Sequence, residues 1–255
     1  MATNTIYFIT GANRGIGLGL VKSLLARSYT TVIATVRNED AVRSLNTETS
    51  TVTVGENSII HVLTLDFTAA VDPSTILNTL TTNVSDISHI DVLIANAGFA
   101  PSMSPALATT AEDLRRSFET NTIAPLLVFQ ALHPLLIKSP TGAPKTIFIS
   151  SSVGSIGAQE QIPGGAYGAS RAAGNWLTRA IHMQHAADNL VVVALHPGWV
   201  QTRAGEFVAK EWNYAPGPPV TAEDSVKGIL EVVDKATRDT VGGKFITQTG
   251  HELPW

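Results

Sequence analysis

Short apolar runs alternate with longer stretches of helical periodicity along this chain. Strand-like segments fall at 5–10, 31–36, 59–65, 91–95, 145–150, 190–196 and 243–247. Most are continuous rather than alternating, as in Thr31-Val32-Ile33-Ala34 and Val191-Val192-Val193-Ala194-Leu195. Runs of that kind suit parallel strands covered on both faces. Helical patterns lie between them, near 15–27, 38–46, 73–82, 112–137, 166–188 and 221–238. The last has a start signal, Thr221 followed three residues on by Asp224. Strict alternation of β and α predicts an α/β fold, a single Rossmann-type doubly wound parallel sheet of about seven strands with helices on both faces. Residues 46–58, rich in Thr and Ser, read as a surface loop. Residues 198–220 mix Gly and Pro with aromatics and read as a lid over the domain.

Composition narrows this picture without changing it. The 255 residues fit one domain spanning 1–255, and 44% hydrophobic content supplies a sizeable core. A net charge of −4 with no basic stripe excludes a nucleic-acid partner. The apolar runs fall far short of the roughly 20 residues a membrane span requires. No charged, apolar leader precedes the first strand, so no signal peptide is expected, and the setting is expected to be cytoplasmic. The sequon Asn83-Val84-Ser85 is then incidental. There is no cysteine. His182, His185 and His196 lack metal-ligand spacing and read as structural, so no metal is expected.

The first candidate chemistry stands where the first strand gives way to a helix, at Thr10-Gly11-Ala12-Asn13-Arg14-Gly15-Ile16-Gly17. Glycines let a backbone turn tightly against a ligand, and the following helix start offers free N–H groups to a diphosphate. The spacing G-x-x-x-G-x-G in a strand–turn–helix context points to a dinucleotide. Arg37 ends the second strand, where an acid would bind a ribose 2′-hydroxyl and an arginine suits a 2′-phosphate. Arg14 could reach the same group, which favours NADP(H), although Glu39 and Asp40 follow closely.

Further motifs occur in a fixed order: Asn96-Ala97-Gly98 after the fourth strand, Asn121, the serine cluster 150–152, Tyr167-x-x-x-Arg171, and His196-Pro197-Gly198-Trp199-Val200-Gln201-Thr202. With the glycine turn, they resemble the short-chain dehydrogenase/reductase family over about residues 5–250. Within it, the chain is most similar to carbonyl-reductase-like and fungal norsolorinic acid ketoreductase-like members, a likeness that extends to Leu253-Pro254-Trp255. The resemblance implies that Asp66 and Phe67 lie against the adenine and that Asn96, Ala97 and Gly98 flank its ribose. It implies that Pro197, Gly198, Val200 and Thr202 meet the nicotinamide. Asn121, close before Pro125, would help hold a water of a proton relay.

Tyr167 is then the expected proton donor for a carbonyl reduced by hydride from the cofactor. A serine hydroxyl would hold the substrate oxygen, and the position of Gly154 selects Ser151, with Ser152 second. Ser150 and Ser152 are both expected to serve the strand end first. The loop 153–165 carries a small insertion relative to the family. Position 171 departs from the pattern, because the family has Lys there. Arg171 keeps the charge and lies on the same helix face as Tyr167, but guanidinium differs in shape and does not give up a proton readily. The resemblance therefore implies catalysis by Tyr167, Ser151, Arg171 and Asn121. Three outcomes stay open: a working reductase, a slow one, or a scaffold turned to isomerisation, dehydration or cyclisation.

Trp199, Phe207 and Trp212, with Tyr214, Phe99, Met103 and Ile156, cluster in segments expected at the carboxyl ends of the strands. They predict an apolar pocket for a bulky or aromatic small-molecule carbonyl substrate, with polyketide-like metabolites as the model. The two longest helices, 112–137 and 166–188, are the expected interface of a homodimer or homotetramer.

Overall fold

The run Thr30–Val36, β-branched at every position but Ala34, is buried throughout, as a strand covered on both faces must be. In the computed structural model, which describes residues 4–255, it is β2 of one eight-stranded sheet. Its neighbours are β1 (Thr5–Thr10), β3 (Ile59–Thr64), β4 (Val92–Ala95), β5 (Lys145–Ile149), β6 (Val191–His196), β7 (Phe245–Thr247) and β8 (Glu252–Leu253). The spatial order is β3-β2-β1-β4-β5-β6-β7-β8. All pairs are parallel except β7 with β8. The order reverses between β1 and β4, and the crevice at such a switch point is where open α/β sheets bind ligands.

Side chains alternate between two cores. Ile9, Val32, Ile94 and Val193 face one side with Leu20 and Leu24 of α1 (Gly15–Leu25) and Ile229 and Val233 of α8 (Ala222–Lys235). Phe8, Ile33, Leu93 and Val192 face the other. There they meet Ile76 and Leu80 of α3 (Pro73–Asn83), Leu132 of α5 (Ala124–Leu136) and Ile181 of α6 (Gly165–Gln184). Leu132 is wholly buried, and truncation to Ala at such a site costs about 2–5 kcal/mol.

The first three residues of the single domain expected over 1–255 lie outside the described ones. Elsewhere the structure differs from the sequence reading in four places. Helix α2 (Glu39–Thr49) runs into the stretch read as loop, because Asn38 caps it and Leu45 anchors it in the core. The helix expected over 112–137 is three segments: α4 (Ala111–Phe118), a π-helical turn over Glu119–Ile123, and α5. Pro125 has no N–H to offer the Asn121 carbonyl, so the ladder slips there to wider bonding. The stretch 198–220 contains α7 (Arg203–Glu211), and β8 extends the sheet beyond the seven expected strands.

Candidate active site

Five of the eight α-helices begin with a side chain capping their first amides: Asn38, Asp72, Thr110, Thr202 and Thr221. Helix α1 does not. Its N-cap is Arg14, with no side-chain bond and no acid in the first turn. Its leading N–H groups and partial positive charge are left for an external anion. Gly11 and Gly15 turn the chain with φ of 68° and 53°. Gly17 lies so close to Asn96 that a Cβ would stand 2.6 Å from its Nδ2. Asn96 in turn donates to the carbonyls of Thr10 (2.9 Å) and Gly11 (3.1 Å). The Thr10 hydroxyl accepts from the amides of Asn96 and Ala97. The glycine turn is thus locked to the end of β4, leaving Asn13 and Ile16 partly exposed along its rim.

Beyond the turn, Arg37 is exposed at the end of β2. Arg43 engages the carboxylate of Asp40, and Arg37 has no ion pair among the described residues. Arg14 is held below the usual arginine range, first by partial burial and then by the charges of Arg37 and Arg203. Three cations therefore stand near one another, none of them in an ion pair among the described residues. Arg203, at the start of α7, was invisible in the sequence reading because it lies far along the chain. Thr202, beside it, sets its methyl over Gly15 and caps α7 by accepting from the Gly205 amide at 3.2 Å. Asp66 is exposed and bonds Thr68, while Phe67 is buried.

The serines separate by their partners. Ser150 donates to Asn175 Oδ1 at 2.6 Å and is committed to structure. Ser151 accepts from the Val153 amide at 3.3 Å, which leaves its own proton free to donate. Ser152 gives its amide to His196 Nδ1 at 3.1 Å. That bond requires a neutral imidazole, and burial lowers the His196 pKa to about 4. Tyr167 is half-buried in the first turn of α6, and its hydroxyl has no hydrogen bond among the described residues.

Arg171 lies one turn further along α6 and is 7% exposed, with Cζ 5.1 Å from the Tyr167 ring centroid. It donates from Nη1 to the Ile149 carbonyl at 2.9 Å. Its Nε is buried without a partner, and no carboxylate pairs with it among the described residues. Nη2 fills the space where Gly98 lacks a side chain. Asn121 is fully engaged: Oδ1 accepts from the Phe99 amide (2.8 Å), and Nδ2 donates to the Phe99 carbonyl (2.8 Å) and to Ser170 Oγ (2.9 Å). Tyr167, Arg171, Asn121 and Gly98 are thus brought together around the start of α6.

The aromatics expected at the substrate are divided. Trp199 packs edge-on to Trp212 at 5.5 Å and against Tyr214 at 5.0 Å, and Trp212 Nε1 donates to the Pro163 carbonyl at 2.9 Å. Pro197 is buried and accepts from Ser225, Gly198 and Val200 follow it, and Val200 forms a parallel bridge to Val220. Phe207 is 38% exposed on α7. A 550 Å³ cleft opens alongside, lined by Ser152, Ile156, Pro163, Leu114 and Ala106 among others. One wall is held by Pro254 and Trp255: Ser155 Oγ donates to the Pro254 carbonyl (2.6 Å), and the Gly157 amide donates to the Trp255 carbonyl (2.7 Å). Among the described residues no helix is long and apolar enough to cross a membrane.

The family model described as short chain dehydrogenase matches residues 5–212. The chain is 37% identical over 262 residues to the short-chain dehydrogenase RED3 of Pyricularia oryzae, with 100% of both chains covered. It is 35% identical to the norsolorinic acid ketoreductase of Aspergillus parasiticus, over 98% of this chain and 91% of that one. Among solved structures, the NADPH-bound carbonyl reductase from chicken fatty liver superposes with a TM-score of 0.83 at 32% identity, covering 100% of both chains.

Proposed function

Because this chain belongs to the short-chain dehydrogenase family, we propose that it is an NADPH-dependent ketoreductase acting on a bulky, apolar or aromatic carbonyl compound. The observation that carries this reading is the free Tyr167 hydroxyl beside the buried, unpaired charge of Arg171, at the mouth of an uncapped diphosphate turn. The cofactor fits these residues. A diphosphate meets the uncapped amides of α1 over Gly11, Asn13, Gly15, Ile16 and Gly17. A 2′-phosphate meets Arg14 and Arg37, with Arg203 close enough to share it. Asp66, Phe67, Asn96, Ala97 and Gly98 flank the adenosine half, and Pro197, Gly198, Val200 and Thr202 the nicotinamide half. When bound, the reduced nicotinamide supplies hydride.

The chain's own residues do the rest. Ser151 donates a hydrogen bond to the carbonyl oxygen and orients it while keeping its own proton, with Ser152 as the second hydrogen-bond donor. Tyr167 gives its phenolic proton to that oxygen as charge develops on it. Arg171 stabilises the phenolate left behind by proximity alone, since its own protons stay bound to guanidinium. Asn121 holds Phe99 against α6, and its carbonyl has no helical amide to meet because residue 125 is Pro. That carbonyl is the place for a water that reprotonates the tyrosine. Trp199, Phe207 and Trp212 form the lid face over the substrate. Exposed Trp176 and Met183 on α6, with Ile123 and Ile137 at the two ends of α5, suit a homodimer or homotetramer through those helices, which light scattering checks.

Single turnover with 4-deuterated NADPH and an aromatic ketone tests the chemistry. Label in the product alcohol is expected. A product of unchanged oxidation state, with label retained on the cofactor, would overturn the reading in favour of isomerisation, dehydration or cyclisation. Arg171→Lys adds a second measure. Since charge is the essential property, we expect kcat to stay within about tenfold of the parent.

A further inference from the structure

Far from this site, α5 and α6 end side by side. His133 stands in the last turn of α5, His185 caps α6, and Asp188 follows in the turn leading to β6. His133 Nε2 and His185 Nδ1 are 3.1 Å apart. Asp188 Oδ2 lies 3.4 Å from the first and 2.8 Å from the second. The three atoms therefore form a nearly regular triangle. Phe129 packs edge-on against both imidazoles at 5.5 Å, which fixes the rings from behind. The side chains are 25%, 25% and 32% exposed, so the triangle also faces water. Among the described residues it is the one group of three His, Asp or Glu side chains whose ligand atoms converge in this way.

Hydrogen bonding accounts for only part of the arrangement. If both nitrogens carry protons, two N–H groups confront each other across the His–His edge. If only one does, a bare nitrogen lone pair faces the carboxylate. Every neutral tautomer leaves one edge of the triangle repulsive. A cation placed over the triangle is attracted by all three lone pairs at once. At the 2.0–2.2 Å bond lengths of zinc, an ion equidistant from the three atoms sits about 1 Å out of their plane, with its far side open to water. Two imidazoles and one carboxylate are donors for a borderline divalent ion and poor ones for Mg²⁺.

We propose that His133, His185 and Asp188 bind one late first-row divalent cation, of the Zn²⁺ or Co²⁺ class, which staples the end of α5 to the end of α6. The site is structural with respect to the reaction. Tyr167 lies at the other end of α6, about 27 Å away along its axis. The staple instead fixes the helix that carries Tyr167 and Arg171 against its neighbour.

The test uses the full chain. Zn²⁺ is expected to bind with one-to-one stoichiometry in calorimetry and to raise the thermal midpoint by several degrees, whereas Mg²⁺ leaves it unmoved. Co²⁺ is expected to give the intense visible bands of a low-symmetry, four-coordinate ion. Asp188→Asn, close in size and partly exposed, and His133→Gln are each expected to abolish the Zn²⁺ shift while leaving NADPH affinity unchanged. Absence of a saturable Zn²⁺ isotherm in the parent protein overturns the proposal. So does a Co²⁺ spectrum that survives the Asp188→Asn, His133→Gln double variant. The parent's own Co²⁺ spectrum decides the matter even if a variant fails to fold.

Discussion

The floor proposed for the cofactor and the mouth proposed for the substrate are built in opposite ways. The floor is one contiguous stretch, Thr10–Gly17, clasped by Asn96 and Ala97, with an uncapped helix start behind it. The mouth is assembled from pieces far apart in the chain. Trp212 reaches Pro163, Ser155 reaches Pro254, and Gly157 reaches Trp255. The floor gains its affinity from backbone amides and fixed charge, which few substitutions can imitate. The mouth gains its shape from packing, which many can. The contrast predicts that damage to the floor appears in cofactor affinity and damage to the mouth in KM for the ketone.

The largest effect belongs to the seam between the two. Tyr167→Phe should lower kcat roughly a thousandfold while NADPH titration by fluorescence stays within twofold. Loss of cofactor affinity instead would make the tyrosine part of the floor. Next is acid sensitivity centred on His196, which holds Ser152 at the edge of the mouth. Its folded pKa of about 4 lies below the ordinary 6.5, so the unfolded chain takes up the proton first. Stability should fall as pH drops from about 6.5 to about 4 and level off below. The whole loss is at most about 3 kcal/mol at 1.36 per unit, and less where water screens the ring. Urea unfolding across that range checks it, and His196→Gln should flatten the slope.

Arg37→Ala should weaken NADPH binding by roughly 10–100-fold, the cost of one charge-assisted phosphate contact, and leave NADH binding unchanged. Equal weakening of both cofactors would show that Arg37 does not distinguish them. The smallest effect is expected at the mouth. Trp212→Phe removes the bond to the Pro163 carbonyl, worth about 1 kcal/mol. Ketone KM should rise about fivefold with NADPH affinity untouched, and steady-state kinetics with both substrates varied resolves the two.

This same contrast explains what could be read from the chain. The strands and the glycine turn were legible because continuous apolar runs and close-set glycines are local signals. Asn121 was legible with its helix fault, since Pro125 announces a missing amide four residues on. Helix α7 was hidden by the Gly and Pro on either side of it, although Thr202 supplies a normal cap. Arg203 beside Arg14, and His133 beside His185, are products of tertiary approach and leave no trace in spacing. The burial of Arg171 against Gly98 was likewise out of reach, because it depends on how β4 and α6 meet.

The hold of Pro254 and Trp255 on the loop that follows β5 has a temporal side. A polypeptide leaves the ribosome from its amino end, and native contacts can form only between parts already outside the tunnel. Every residue of the floor's clasp is outside once residue 97 has emerged. The mouth must wait until residue 255 has emerged, so on the proposed reading a nascent chain stalled between these two points would hold a formed coenzyme floor before it could shape itself around a ketone.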